Sequence, residues 1–344
     1  MRRKIMGSLD WGNLGFTYRE TEQRFICRYK DGKWDEGVLS TDATVHLNES
    51  ATVLQYAQAC FEGLKAYTAK NKKIVLFRPD LNAKRLQDSC RRLVMPVLPI
   101  EKFLEGVKKT VCANLKFVPP YGTGATFYLR PCLFGSGPTI GIQPSLEYEF
   151  RVFGIPVGPY YKGEAKSLVL RICEFDRAAP HGTGHIKAGL NYAMSLYPIE
   201  EAHEQGYDEN MYLDAATRTM VEEAGGANFI FVTDDNKIIT PKSDSILPSI
   251  TRRSLLYVAQ HYFGFEVEER EVPVAELSSF KEAALCGTAA VLSPIQKIVD
   301  HNREIQFSGT QNGLGAVTKK LYDTLVGIQM CEVEAPEGWI YTVE

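Results

Sequence analysis

At 344 residues the chain exceeds the usual span of a single hydrophobic core, so two domains are the natural expectation. With 44% hydrophobic and 24% charged residues it has a soluble globular balance, and its formal net charge of −3 supplies no basic field for nucleic acid or an anionic membrane. No apolar run reaches spanning length, and Met1-Arg-Arg-Lys-Ile leads into Ser8-Leu-Asp-Trp-Gly rather than an apolar signal core, so a cytoplasmic protein is expected.

The eight cysteines stand singly, with no Cys-x-x-Cys, and are expected to be reduced, mostly buried thiols. His181 and His185 fall in a glycine-broken loop, and no metal site is expected. In chain order, Phe25-Ile-Cys-Arg-Tyr and the turn signal Lys30-Asp-Gly-Lys predict a hairpin at a sheet edge. From Leu54 to Tyr67 the text reads as a short helix or bend, a glycine turn and a strand. That strand pairs with Lys72-Lys-Ile-Val-Leu-Phe77 around Thr68-Ala-Lys-Asn.

Residues 81, 86, 90 and 93 keep helical spacing after Asp80, which serves as the expected N-cap, and a second helix is predicted from about Glu101. Two alternating runs, at 125–131 and 147–156, predict strands. The glycine-rich loop between them, Gly135 to Ile142, lacks a following helix, which argues against a dinucleotide fingerprint. Pro156-Val-Gly-Pro-Tyr-Tyr-Lys-Gly163 is the expected linker. The reading is therefore a smaller α/β domain over 1–155, a linker over 156–166 and a larger domain over 167–344.

In the second half a helix is predicted from Lys187 through Tyr192 to His203, kinked at Pro198. Short strands follow at 210–214, 219–222, 228–233 and 237–240, the last two joined by a turn at Asp234-Asp-Asn. Ser249 caps a helix that stops at Gly264. Two buried strands pinch at Gly287-Thr-Ala, and a last helix spans about 314–327.

The chemistry centres on His181-Gly-Thr-Gly-His-Ile-Lys-Ala-Gly-Leu-Asn-Tyr192. Lys187 has no acidic neighbour there to hold its ammonium charged, which makes it a candidate Schiff-base nucleophile. Glu223 follows 36 residues later beside Gly225 and Gly226, an acid able to approach a planar ligand and keep a pyridine nitrogen protonated. The helix start at Ile250-Thr251 and the bend Gly287-Thr288-Ala289 offer free amides and hydroxyls to anions. An amine for an aldehyde, a partner for a pyridine nitrogen and a phosphate cup together specify pyridoxal 5'-phosphate.

With these residues in hand, the sequence closely resembles the branched-chain amino-acid aminotransferases, pyridoxal-phosphate enzymes of fold type IV. The likeness covers nearly the whole chain. It runs through Phe61-Glu-Gly-Leu-Lys-Ala-Tyr, Phe77-Arg-Pro-Asp-x-Asn-Ala-x-Arg-Leu, Tyr128-Leu-Arg-Pro, Lys187-Ala-Gly-x-Asn-Tyr, Glu223 and Gly287-Thr-Ala to Glu334-Ala-Pro-Glu-Gly-Trp. The resemblance implies a mixed α/β fold of two domains with the active site at their interface. It implies Lys187 as the Schiff-base lysine, Glu223 at the pyridine nitrogen and Tyr192 at the phenolic oxygen. Arg85, Ile250, Thr251 and Thr288 fall at the phosphate, with Thr288 and Ala289 also at the substrate α-carboxylate. Phe61, Tyr56, Tyr18, Tyr128 and Arg130 fall at the side-chain pocket, with Ile140 and Ile142 reaching in from a second subunit of a homodimer.

The activity so implied is reversible amino transfer between leucine, isoleucine or valine and 2-oxoglutarate, with Lys187 moving the proton at the substrate α-carbon. Two departures from the family pattern stand out. Leu190 replaces a glycine, which would shift the turn after the lysine. Ala290 and Ser293 replace a redox cysteine pair of the mammalian members, so no thiol switch is expected there. The rivals are D-amino-acid aminotransferase or aminodeoxychorismate lyase, shorter enzymes of the same fold, and a non-catalytic protein that kept the fold.

Overall fold

The computed structural model describes residues 9–160 and 165–343. The chain builds two nine-stranded sheets. The first holds β1 (Arg24–Lys30), β2 (Lys33–Trp34), β3 (Val38–Ser40), β4 (Ala59–Phe61), β5 (Leu64–Thr68), β6 (Ile74–Phe77), β7 (Thr126–Gly135) and β8 (Tyr148–Val157). The C-terminal strand Ile340–Thr342 returns to pair with β6. Every pair in this sheet is antiparallel, and its spine is the β7–β8 ladder, which runs unbroken from Thr126↔Val157 to Gly135↔Tyr148.

Strand alternation sorts this sheet's two faces. Leu64, Ala66, Phe127, Leu129 and Leu133 point into a core closed by α2 (Pro79–Arg92) and α3 (Ile100–Cys112) through Leu86, Cys90, Phe103 and Val107. The residues between them, among them Lys65, Tyr128 and Arg130, point to the opposite face and toward the second half of the chain. The short α1 (Thr52–Tyr56) precedes β4 as the spacing predicts.

Two helix details differ from the sequence reading. Asp80 is not the N-cap: Arg78 holds that position in a left-handed conformation, because Pro79, with its fixed φ, occupies the first helical position and moves Asp80 into the first turn. Arg78 is anchored there by stacking on Trp339 at 4.3 Å and by its bond to Ser254 Oγ. Nor does Pro198 kink a single helix. The chain breaks at Met194–Ser195 into α4 (Gly189–Ala193) and α5 (Leu196–Glu204), and Pro198 sits in the first turn of α5, where its missing N–H has no intrahelical acceptor to lose.

The second sheet comprises β9 (Leu168–Ile172), β10 (Glu209–Leu213), β11 (Val221–Ala224), β12 (Asn228–Val232), β13 (Ile238–Pro241), β14 (Val267–Arg270), β15 (Glu282–Gly287), β16 (Val291–Asp300) and β17 (Arg303–Gln306). Strands β9 and β10 run parallel, so the chain must cross over between them, and Lys187, α4 and α5 lie on that crossover. Helices α6 (Ile250–Phe263) and α7 (Ala316–Gln329) cover one face through Leu255, Val258, Leu321 and Leu325. Tyr67, Val75 and Phe77 of the first sheet join the same cluster, so the two halves share a core. Of the expected linker, Pro156 and Val157 still belong to β8, and residues 161–164 lie outside the described residues. Five of the eight cysteines are buried, and all are free thiols.

Candidate active site

Lys187 is held from both sides before its side chain is considered. Its N–H donates to Ser89 Oγ on α2 at 3.1 Å, and its carbonyl accepts from the N–H of Phe61 on β4 at 3.0 Å. Behind it the loop folds tightly. Asn191 Nδ2 donates to the carbonyls of Thr183 and Ile186, and Gly184 leaves no room for a β-carbon, which would lie 2.2 Å from the Ser245 carbonyl oxygen. Leu190 lies inside α4 and has no positive φ, so the backbone at this position does not call for a glycine.

The ammonium of Lys187 donates to Tyr192 Oη at 2.7 Å and lies over the rings of Phe61 and Tyr192 at 4.8 and 5.0 Å. Burial pulls its pKa from 10.5 down to about 8, the neighbouring Arg85 guanidinium pushes the same way, and Glu62 opposes them.

Glu223, on β11, lines the same cleft as Lys187, together with Arg85, Tyr192, Ile250 and Thr288. Its Oε1 accepts from the Leu247 N–H at 3.1 Å and forms an ion pair with Arg177 at 3.1 Å, and its Oε2 accepts from Asn228 Nδ2 at 2.6 Å. Burial raises the carboxyl to about 7, with Arg177 acting against that rise. Arg177 also donates to the Ser245 carbonyl, and the buried Glu222 carboxylate stands 3.9 Å from it.

Between these groups lies a cup of backbone donors. Ser249 caps α6 by accepting from the Arg252 N–H at 3.1 Å, which leaves the amides of Ile250 and Thr251 free at the helix start. Across from it, the amides of Thr288, Ala289 and Ala290 donate to no other described residue. Thr251 and Thr288 flank a small cavity with Asn82 and Ile250. Arg85 braces the cup rather than standing free in it. Its guanidinium grips both oxygens of Glu62 at 2.8 and 2.7 Å and donates to the Pro248 carbonyl at 3.1 Å.

Phe61, Tyr128 and Arg130 gather beside Lys187. Arg130 lies 4.8 Å over the Phe61 ring and donates to Tyr128 Oη at 3.3 Å, and Phe61 meets Tyr192 edge-on at 4.9 Å. The remaining candidates stand apart within one chain. Tyr18 is 59% exposed, sits over Phe153 and lines a separate cavity with Cys132 and Arg151. Tyr56 donates to the Ile140 carbonyl, while Ile140 and Ile142 are 80% and 94% exposed. Ala289 turns its carbonyl away from the cleft toward Lys65, at 2.7 Å.

Sequence reasoning missed Arg177, Glu62 and Lys65 as members of this site. Glu62 and Lys65 lie inside the Phe61-Glu-Gly-Leu-Lys motif, so a cue was present; Arg177 lies in an irregular stretch with no periodicity to mark it.

A family model described as amino-transferase class IV matches residues 59–298. A branched-chain-amino-acid aminotransferase of Haemophilus influenzae is 51% identical, the match covering 98% of this chain and all of that protein. One from Helicobacter pylori is 49% identical, with 98% of each covered. Among solved structures, the branched-chain amino acid aminotransferase of Escherichia coli superimposes with a TM-score of 0.78 at 27% identity over 94% of this chain and 100% of that one. That of Thermobaculum terrenum in its pyridoxal-phosphate form gives 0.78 at 25% identity, over 95% and 100%.

Proposed function

The chain belongs to the class IV aminotransferase family, and from that premise we propose that it is a branched-chain amino-acid aminotransferase using pyridoxal phosphate. It moves the amino group reversibly between leucine, isoleucine or valine and 2-oxoglutarate, giving branched 2-oxo acids and glutamate. The observation that carries the reading is the cleft itself. An amine of lowered pKa and a buried, arginine-paired carboxylate line it together, with unpaired amides at a helix start and a turn.

The residues present fit the cofactor. Glu223 would face the ring nitrogen and Tyr192 the phenolic oxygen. The amides and hydroxyls of Ile250, Thr251 and Thr288 would hold the phosphate, with Arg85 bracing them. Bound there, the cofactor supplies an aldehyde for the amine and an electron-withdrawing ring. The chain does the rest. The Lys187 amine takes the proton from the substrate α-carbon and holds it for return, and Tyr192 Oη, 2.7 Å away, orients it. Phe61 forms the apolar wall for the branched side chain. Arg130 meets the second carboxylate of glutamate, and its Nε is buried without a partner among the described residues.

The exposure of Ile140 and Ile142 supports a homodimer in which these two residues complete the partner's pocket. We also read the protein as cytoplasmic, with its domains divided by 156–166. Among the described residues, no helix is long and apolar enough to cross a membrane.

The test is Lys187→Ala with L-leucine and 2-oxoglutarate. Loss of the general base predicts a fall in turnover of about 10⁴-fold, along with the visible absorbance of the lysine-bound cofactor. Glutamate formation at the parent's rate would overturn the proposal. D-leucine in place of L-leucine separates the D-amino-acid enzymes of the same fold.

A further inference from the structure

Lys65 plays no part in the chemistry described above, yet it is the side chain that joins the two sheets at the substrate end of the cleft. It alternates with the core residues Leu64 and Ala66, so it leaves β5 on the face toward the second sheet. There its ammonium donates to the Ala289 carbonyl at 2.7 Å. Among the described residues, no other side chain hydrogen-bonds to the main chain of Thr288, Ala289 or Ala290. The amides of those same residues are unpaired.

Nor is Lys65 accounted for by an ion pair. Burial is the only influence on its pKa, which it pulls from 10.5 to about 8, and no described carboxylate lies within 4.0 Å of it. The ammonium borders a cavity of about 670 Å³ on the far side of the 288–290 turn, shared with Tyr67, Lys319 and Tyr322. Lys319 is engaged with Asp323, whereas the Lys65 ammonium contacts the turn directly.

We propose that Lys65 is a positioning residue for the turn Thr288–Ala290, fixing its peptide planes and adding positive charge behind its amides so that they hold the substrate α-carboxylate. This rests on the aminotransferase reading, in which that turn receives the carboxylate. A cation on a peptide carbonyl polarises that peptide and fixes its plane, and a low dielectric strengthens both effects. The amino acid and the oxo acid carry the same α-carboxylate, so Lys65 must act on both. Arg130, which faces the second carboxylate, must act on dicarboxylates alone.

The experiment compares parent, Lys65→Met and Lys65→Arg holoenzymes. The measurements are the Kd of 4-methylpentanoate, a branched carboxylate with no amino group, by calorimetry, and KM and kcat for leucine and for 2-oxoglutarate. The Met variant is expected to raise the Kd and both KM values about tenfold, the low end for a hydrogen bond to a charged group, with kcat falling much less. The Arg variant is expected to recover most of the loss. An unchanged Kd, an effect on 2-oxoglutarate alone, or an Arg variant as impaired as the Met variant would each overturn the proposal. Should Lys65→Met fail to fold, Lys65→Gln, which keeps a donor and loses the charge, is read against the same outcomes. A parent that forms no glutamate from leucine sinks the functional reading, while the 4-methylpentanoate titration still decides the role of Lys65.

Discussion

Replacing Lys187 with methionine should make the cofactor-free protein more stable at neutral pH, because the native state holds an amine that would rather be neutral. The folded-state pKa is about 8 against 10.5 for an ordinary lysine. Below pH 8 both states are protonated and the folded state bears the full penalty. Between about 8 and 10.5 the unfolded chain binds more protons, so the parent gains stability as pH rises, and above 10.5 the penalty is gone. Integrating between those two values gives a penalty of about 3 kcal/mol at pH 7 and about 1 kcal/mol at pH 9.5.

Methionine keeps the length and apolar stem of lysine and forfeits the bond to Tyr192 Oη, a loss of about 1.5 kcal/mol while the amine is charged. The variant should therefore lead the parent by about 1.5 kcal/mol at pH 7, with little advantage left at pH 9.5. Urea denaturation of both cofactor-free proteins at the two pH values measures this directly. A variant less stable than the parent at pH 7, or a gap that does not shrink with pH, would refute the claim that burial sets the state of this amine.

Other substitutions probe the rest of the framework. If Glu223 faces the ring as proposed, Glu223→Gln should lower kcat about a hundredfold or more while cofactor still binds; near-parent kcat would contradict that role. Gly63→Ala would place its new carbon 2.2 Å from Tyr128 Oη, and the forced shift should cost about 1–3 kcal/mol in denaturant titrations and raise KM. Glu282 is fully buried and accepts from the Val317 and Thr318 amides and the Thr318 hydroxyl at the start of α7. Its replacement by alanine strands those donors and should cost about 3 kcal/mol, with little effect on the KM of the folded enzyme.

Much of this was legible in the sequence where a local rule decided the outcome. The alternation at 125–131 and 147–156 became the β7–β8 spine, and Ser249 capped α6 as its position before Ile250 required. Lys187 and Glu223 stood out because an amine without acidic neighbours and an acid beside two glycines are each unusual, and the fold puts them in one cleft. What escaped was decided by contacts distant in sequence. Glu62 and Arg85 lie 23 residues apart and Arg177 and Glu223 lie 46 apart, and neither pairing has a periodicity to betray it. Asp80 looked like a cap because Asp favours caps, but Pro79 beside it had the stronger geometric claim on the first turn. Tyr56, Ile140 and Ile142 are exposed in the single chain, and no local rule of sequence says what would cover them.

Those unforeseen pairs bear on the lowered pKa of the lysine. Two buried carboxylates line the cleft or its wall, and one of them, Glu62, favours the charged form of Lys187. Each is paired with an arginine: Arg85 grips Glu62 through both oxygens, and Arg177 takes Glu223. With both acids engaged, burial and the Arg85 guanidinium outweigh the pull of Glu62 on the ammonium, and the amine is left with a tyrosine hydroxyl as its hydrogen-bond partner. The arginines thus hold the cup and the acid in place. Arg85 also lowers the pKa of the amine against the pull of Glu62, and removing that guanidinium should raise it.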